Sequence, residues 1–327
     1  MSDDSQRTFR EVQAFFGLPS VALVEKDFHV VRAIKAVANM DATPFALVFG
    51  GGTALARAHK IVHRMSEDVD FKIVPLPASP VSRSAIRRDL GRLRATVSVA
   101  LQEAGFAFNV TDTAVMQSRD ENRYSLWNLP YPTADESQHE NQSGGGQGLR
   151  PAIKVELTYA PLRRPTVGLL VQSFVNEAMN RPPEIPTMAC VSIVETAAEK
   201  LVSLTRRTAM ELAGAGREPD PTLVRHIYDL HMMRGLIDPA EVATLASAIA
   251  ESDAQEFDNQ HPAYAADIAG ETRKALTALH TDQMHRQRYE DFVAAMVYGD
   301  HVEFTTAIGT VAELTGLLLG KCKDATC

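Results

Sequence analysis

The stretch from Phe45 to Val74 constrains this chain most, because it sets a strand, a glycine turn, a helix and a second strand in close succession. Phe45-Ala-Leu-Val-Phe49 is a continuous apolar run that stops at Gly50-Gly51-Gly52, the pattern of a buried strand ending in a turn. Thr53 to His63 then reads as a helix. Asp68-Val-Asp-Phe-Lys-Ile-Val74 alternates without a break, so Val69, Phe71 and Ile73 share one face of a strand and Asp68, Asp70 and Lys72 the other. Two carboxylates at i and i+2 on one face can jointly ligate Mg2+, a hard ion that takes oxygen ligands and bridges substrate phosphates. Backbone amides near Gly51, Gly52 and Thr53 can approach a phosphate, because glycine lets the chain come close. Taken singly, a D-x-D pair is often a solvated face and Gly-Gly-Thr a plain turn. At this spacing the combination points to the handling of a nucleoside triphosphate.

The same alternation returns at Ile153-Lys-Val-Glu-Leu-Thr-Tyr159, with Lys154, Glu156 and Thr158 opposite the apolar side. Glu156 is the one acid of that polar face and the candidate for a third metal ligand. Residues 20–40 carry apolar positions three apart and read as an amphipathic helix, as does Ser82–Glu103, where Arg83, Arg87, Arg88, Arg92 and Arg94 lie largely off the apolar stripe. Residues 106–111 and 123–131 read as strands, and 133–148, polar and glycine-rich, as a loop. After Pro186 the strands stop and helices follow at about 192–208, 222–234, 238–251, 262–280 and 285–319. The expected division is 1–188, with its leading helix, and a helical domain 189–327 that contributes to the active-site cleft.

Gly51-Gly-Thr-Ala-Leu55, followed by Arg64-Met-Ser66-Glu-Asp68-Val-Asp70-Phe71, resembles the G-G-T-x-L, R-x-S-x-D-x-D motif of the AbiEii/AbiGii nucleotidyltransferase toxins, MenT toxins among them, within the DNA polymerase β-like superfamily. Glu25-Lys26-Asp27-Phe28 is similar to the E-K-D-[YF] opening of that family's first helix. Glu195-Thr-Ala-Ala-Glu-Lys200-Leu-Val-Ser-Leu-Thr-Arg206 resembles its E-x-x-x-E-K-L-x-x-L-x-x-R helix, with Arg206 one residue early. Arg225-His226-Ile-Tyr-Asp229-Leu resembles its R-D-x-Y-D-L block, with His226 in place of the usual acid. The resemblance implies an α+β fold, a polymerase β-like core with a mixed sheet followed by a C-terminal helical domain. It further implies that Ser66 sits at the nucleotide edge, Asp68 and Asp70 bind metal, Lys200 holds the triphosphate and Asp229 supports catalysis. Arg64 either neutralises phosphate or pairs with Glu67.

The implied reaction is a two-Mg2+ transfer of NMP from an NTP to an RNA acceptor, a tRNA 3′ end first among them, by a toxin that a cognate antitoxin restrains. A GTP-binding transferase acting on protein or a small molecule, and a catalytically silent binding module, stay open as alternatives. Composition bears on the partners. The chain has 33 Lys and Arg against 41 Asp and Glu, a net charge of −8, so RNA would have to be met by local patches such as the Arg83–Arg94 helix, Arg163-Arg164 or Arg206-Arg207. No apolar run is long enough for a membrane span. The start lacks a signal pattern and the three cysteines lack metal spacing, which together lead us to expect a cytoplasmic protein. His59 and His63 lack the glutamate of H-E-x-x-H, and Ser66 lacks a G-x-S-x-G elbow, so neither zinc hydrolysis nor acyl transfer is expected.

Overall fold

The alternating stretch at Asp68 becomes the middle of a sheet. The computed structural model describes residues 3–77, 82–133, 149–150, 152–214 and 220–324. The chain divides into two compact units, Met1–Val191 and Ser192–Cys327. In the first, the order is α1 (Asp3–Phe16), α2 (Val21–Ala38), β1 (Phe45–Gly50), α3 (Gly51–Arg57), β2 (Asp68–Pro75), α4 (Arg83–Glu103), β3 (Met116–Arg119), β4 (Tyr124–Pro130), β5 (Ala152–Tyr159), β6 (Val167–Val171), α5 (Phe174–Ala178) and β7 (Ile185–Cys190). Among the described residues these strands form one mixed sheet in the order β3-β4-β5-β2-β1-β7-β6. β2 runs antiparallel to β1 and parallel to β5, and β1 meets β7 in parallel at Phe49 and Cys190. The α+β class expected from the sequence is the class the chain adopts.

Alternation decides which face is covered. Val69, Phe71 and Ile73 of β2 and Ile153, Val155 and Leu157 of β5 are buried, and α2 packs against both strands. α4 is capped by Ser82, whose hydroxyl accepts from the Ala85 amide, and it buries Leu90, Leu93, Val97 and Leu101. The Trp127 indole of β4 donates to Ser98 Oγ at 3.0 Å, fixing α4 to that strand. The opposite face of β2 and β5 is left half-accessible, with Asp68, Asp70, Lys154 and Glu156 on it.

Several sequence expectations are corrected. Residues 106–111 form no strand; the edge strand of that region is β3, and strands do not stop at Pro186, since β7 runs on to Cys190. The helix after the glycine turn ends at Arg57, not His63, and Lys60 takes a positive φ of 56°. His59 and His63 therefore share no helix face, and His59 Nε2 meets the Val191 carbonyl at 2.9 Å. The loop expected at 133–148 lies, from 134 on, outside the described residues.

The second unit is helical: α6 (Ile193–Leu212), α7 (Arg225–Met233), α8 (Pro239–Glu256), α9 (Pro262–Ala266), α10 (Ile268–Thr281), α11 (Gln283–Met296) and α12 (Phe304–Asp324). Ser192 caps α6 by accepting from the Glu195 amide at 3.2 Å, and α6 packs on α7, α8 and α10. The expected helices 262–280 and 285–319 are each two. Asp267 interrupts the first by capping α10, its carboxylate accepting from the Gly270 amide at 2.7 Å. The second is interrupted at 297–303, around Gly299-Asp300. No helix among the described residues is long and apolar enough to cross a membrane.

Candidate active site

β1 and β2 are antiparallel neighbours with Gly50 opposite Asp70, so the turn that follows β1 lies beside the start of β2. Gly51 takes φ +72°, and a Cβ there would run into the Asp70 carboxylate. Only glycine fits both the backbone and the space. A Cβ on Gly52 would stand 2.5 Å from Arg64 Nη2 and 2.8 Å from Ser66 Oγ. The Asp70, Arg64 and Ser66 side chains thus close on the bare backbone of the turn. Thr53 is buried, and its hydroxyl donates to the Asp68 carbonyl, which ties α3 to the first residue of β2. Its hydroxyl hydrogen is spent there. Arg64 is likewise 3% exposed, with Nη1 donating to the Met65 carbonyl at 2.9 Å, so it braces the turn from beneath.

Asp68 is 30% exposed at its side chain and takes an ion pair from Arg150. Arg150 also approaches Glu67 at 3.6 Å, and its backbone amide donates to Glu67 Oε1 at 2.7 Å. Across the parallel β2–β5 pair, Lys154 stands in register with Asp68 and Glu156 with Asp70. Glu156, expected as a third metal ligand, has both oxygens engaged: Oε1 accepts from the Tyr124 hydroxyl of β4 and Oε2 holds Lys154 Nζ at 2.8 Å. Burial and the Glu156 carboxylate raise the Tyr124 pKa above its ordinary value, keeping the phenol a donor. Burial works against the charge of Lys154, but Glu156, Asp68 and Asp70 outweigh it and raise its pKa. Among the described residues no group of three or more His, Cys, Asp and Glu side chains stands ready for a metal ion. The pair Asp68 and Asp70 fits one in part: two half-accessible carboxylates on one face suit a hard divalent ion whose remaining ligands are water and phosphate oxygens.

Beneath this surface lies the E-K-D-F segment of α2. Lys26 is fully buried; its ammonium donates to the carbonyls of Arg150 at 2.5 Å and Ala152 at 2.7 Å and pairs with Glu67 at 3.2 Å. Asp27 pairs with Arg57 at 2.5 Å and accepts from the Phe174 amide at 2.7 Å. The motif is a clamp that fixes the residue before Asp68, the start of β5 and the end of α3.

In the second unit, Lys200 Nζ pairs with Asp229 at 2.8 Å, with Asp229 fully buried. The two residues that the resemblance singles out there are therefore partners of each other. His226 Nδ1 meets the Lys200 carbonyl at 3.2 Å, and its pKa is lowered to about 3 by its packed surroundings and the Lys200 charge. Arg206 is turned onto Asp253 at 2.9 Å and lies over the Phe257 ring, so it adds nothing to an exposed positive surface. Lys154, Tyr124 and Arg150 are the site residues that sequence reasoning passed over. The alternation puts Lys154 on the polar face, but only the cross-strand register sets it opposite Asp68.

A family model described as nucleotidyl transferase AbiEii toxin of type IV toxin–antitoxin systems matches residues 40–310. Among solved structures the chain is similar to MenT4, a nucleotidyltransferase toxin from Mycobacterium tuberculosis H37Rv, at 17% identity over 95% of this chain and 88% of that one, with a TM-score of 0.47. No curated protein matches.

Proposed function

We propose that this chain, which belongs to the AbiEii family of nucleotidyl transferase toxins, moves an NMP from an NTP onto an RNA acceptor, a tRNA 3′ end in the first instance. The observation that carries the reading is the convergence of Asp70, Arg64 and Ser66 on the Gly51-Gly52 backbone, with Asp68 and Asp70 on one half-accessible face beside it. In the transfer an acceptor hydroxyl oxygen bonds to the α-phosphorus, the hydroxyl proton is released, the α–β phosphoanhydride bond breaks and pyrophosphate leaves. Asp68 and Asp70 would hold divalent metal, Mg2+ by the chemistry of the donors. When bound, such ions stabilise the charge that develops on the attacking and leaving oxygens. Gly51, Gly52 and the Thr53 backbone give the phosphates a surface without side chains, and Ser66 lies at its edge. Arg64 and Thr53 keep the turn fixed to β2. Lys200 and Asp229 are assigned to triphosphate and catalysis from the motif they occupy.

For the acceptor, the support is α4. Arg83, Arg87 and Arg88 line an open groove of about 660 Å³ together with Glu121 and Asn122. Arg83 is held there by Glu121 at 2.7 Å. Exposed guanidinium groups along one helix suit a phosphodiester backbone on a chain whose net charge is −8. A cognate antitoxin as partner follows from the family, and a cytoplasmic site of action from the acceptor.

Sequencing of RNA 3′ ends from cells expressing the chain, beside the Asp68→Ala, Asp70→Ala double variant, tests the reading. Growth arrest with extended 3′ ends that vanish in the double variant is expected. Arrest that persists in the double variant would mean action by binding, and arrest with unaltered RNA would exclude the RNA acceptor.

A further inference from the structure

The polar face of β5 puts a cation where a third metal-binding carboxylate was expected. Glu156 stands in register with Asp70, but its two oxygens are taken up by the Tyr124 hydroxyl and by Lys154 Nζ at 2.8 Å. An ion ligated by Glu156 would have to displace both donors and would sit against that ammonium, whereas Asp68 has, among the described residues, one cationic partner to give up, the more exposed Arg150. Lys154 in turn stands in register with Asp68, the nearer end of the carboxylate pair. Its side chain is 27% exposed. An ammonium carries three donors, and its ion pair with Glu156 leaves it within the field of the Asp68 and Asp70 carboxylates as well, beside the ligands of the ion. Lysine offers a compact point charge suited to phosphate oxygens, and Glu156 with Tyr124 removes the freedom that would otherwise let a long side chain swing away from β2.

We infer that Lys154 is a phosphate-binding residue of the transfer site, and that Glu156 is its positioning residue and not a third metal ligand. The inference rests on the transferase reading of Asp68 and Asp70. It gives β5 a defined part: one strand, β2, carries the carboxylates for the ion and its parallel neighbour carries the cation for the phosphates that the ion bridges.

Two titrations of the full chain test it. In the first, each of the four NTPs is added with Ca2+ and binding is followed by calorimetry. Lys154→Met should weaken the preferred NTP by about tenfold to a hundredfold, the worth of a charge-assisted hydrogen bond, and Lys154→Arg should recover part of it. In the second, Mn2+ alone is added and followed by electron paramagnetic resonance. Glu156→Gln should weaken Mn2+ binding clearly less than Asp70→Asn does, because only the latter takes a charged oxygen ligand from the ion. Glu156→Gln should also weaken NTP binding through Lys154. An Mn2+ loss in Glu156→Gln equal to that in Asp70→Asn, or wild-type NTP affinity in Lys154→Met, would overturn the inference. A chain that binds NTP with this dependence on Lys154 yet modifies no acceptor would uphold it and sink the RNA reading alone. A wild type that binds no NTP would overturn both.

Discussion

At the scale of single residues, the site is built from side chains that fill space denied to Cβ atoms. Gly51, at φ +72° with the Asp70 carboxylate where its Cβ would be, carries the sharpest consequence. Gly51→Ala should lower stability by about 1–3 kcal/mol through the left-handed backbone and displace Asp70, so transfer should fall well beyond the loss of folded protein seen in a thermal melt. The Lys200–Asp229 pair allows a similar separation. Lys200→Met leaves a fully buried carboxylate without its ammonium and should cost about 3–5 kcal/mol. Adding Asp229→Asn should restore much of that stability in urea titrations. If the pair also serves the reaction, the restored double variant stays inactive; recovery of transfer along with stability would reduce the pair to a structural one.

At the scale of elements, Lys26 is the point where α2, β5 and the residue before β2 are joined, and Lys26→Met is expected to destabilise the chain by about 3–5 kcal/mol through loss of the buried ion pair with Glu67. Glu67 keeps Arg150 as a partner in that variant, so the cost comes from the lost buried ammonium and its two carbonyl bonds; the measurement is a urea midpoint, and a shift within error would contradict the clamp. The charges of E-K-D-F look solvated in sequence because the partners of Lys26 and Asp27 lie far along the chain, at Glu67, Arg150 and Ala152 for the first and at Arg57 and Phe174 for the second. The central strands were legible because β2 and β5 bury one face and so alternate strictly. β6 was not, since four of its five residues are at least partly accessible and leave no alternation to read. β7 begins at Ile185-Pro186, where the proline suggested an end to the strands, yet it pairs with β1 near its other end at Cys190. Helix ends in the second unit were misplaced where Asp267 caps inside a continuous apolar period. In the site, the carboxylates are legible from spacing, whereas the cations facing them, Lys154 of β5 and Arg150 just before it, depend on a cross-strand register that sequence does not reveal.

At the scale of the whole molecule, the two units should answer acid differently. His29 and His226 are both lowered to about 3, chiefly by burial, with Arg32 adding to the first and Lys200 to the second. The unfolded chain takes up these protons near pH 6.5 and the folded chain does not, so stability is lost as pH falls from about 6.5 toward 3. Asp27 is raised from 3.8 to about 6 by burial. Its folded form takes a proton first, so its contribution grows as pH falls from above 6 toward 3.8. In the first unit it offsets His29, while His226 in the second has no such counterweight among these groups. His226→Gln should therefore narrow the drop in thermal midpoint between pH 7.5 and pH 5, and an unchanged drop would contradict the assignment. The central claim, that the carboxylate face beside the glycine turn transfers a nucleotide, is tested most directly with the purified chain, total tRNA, Mg2+ and each α-32P-labelled NTP in turn, beside Asp68→Ala. Label on RNA with at least one NTP, and none with the variant, is the expected result. No label from any NTP with the wild type, or equal label from Asp68→Ala, would contradict it.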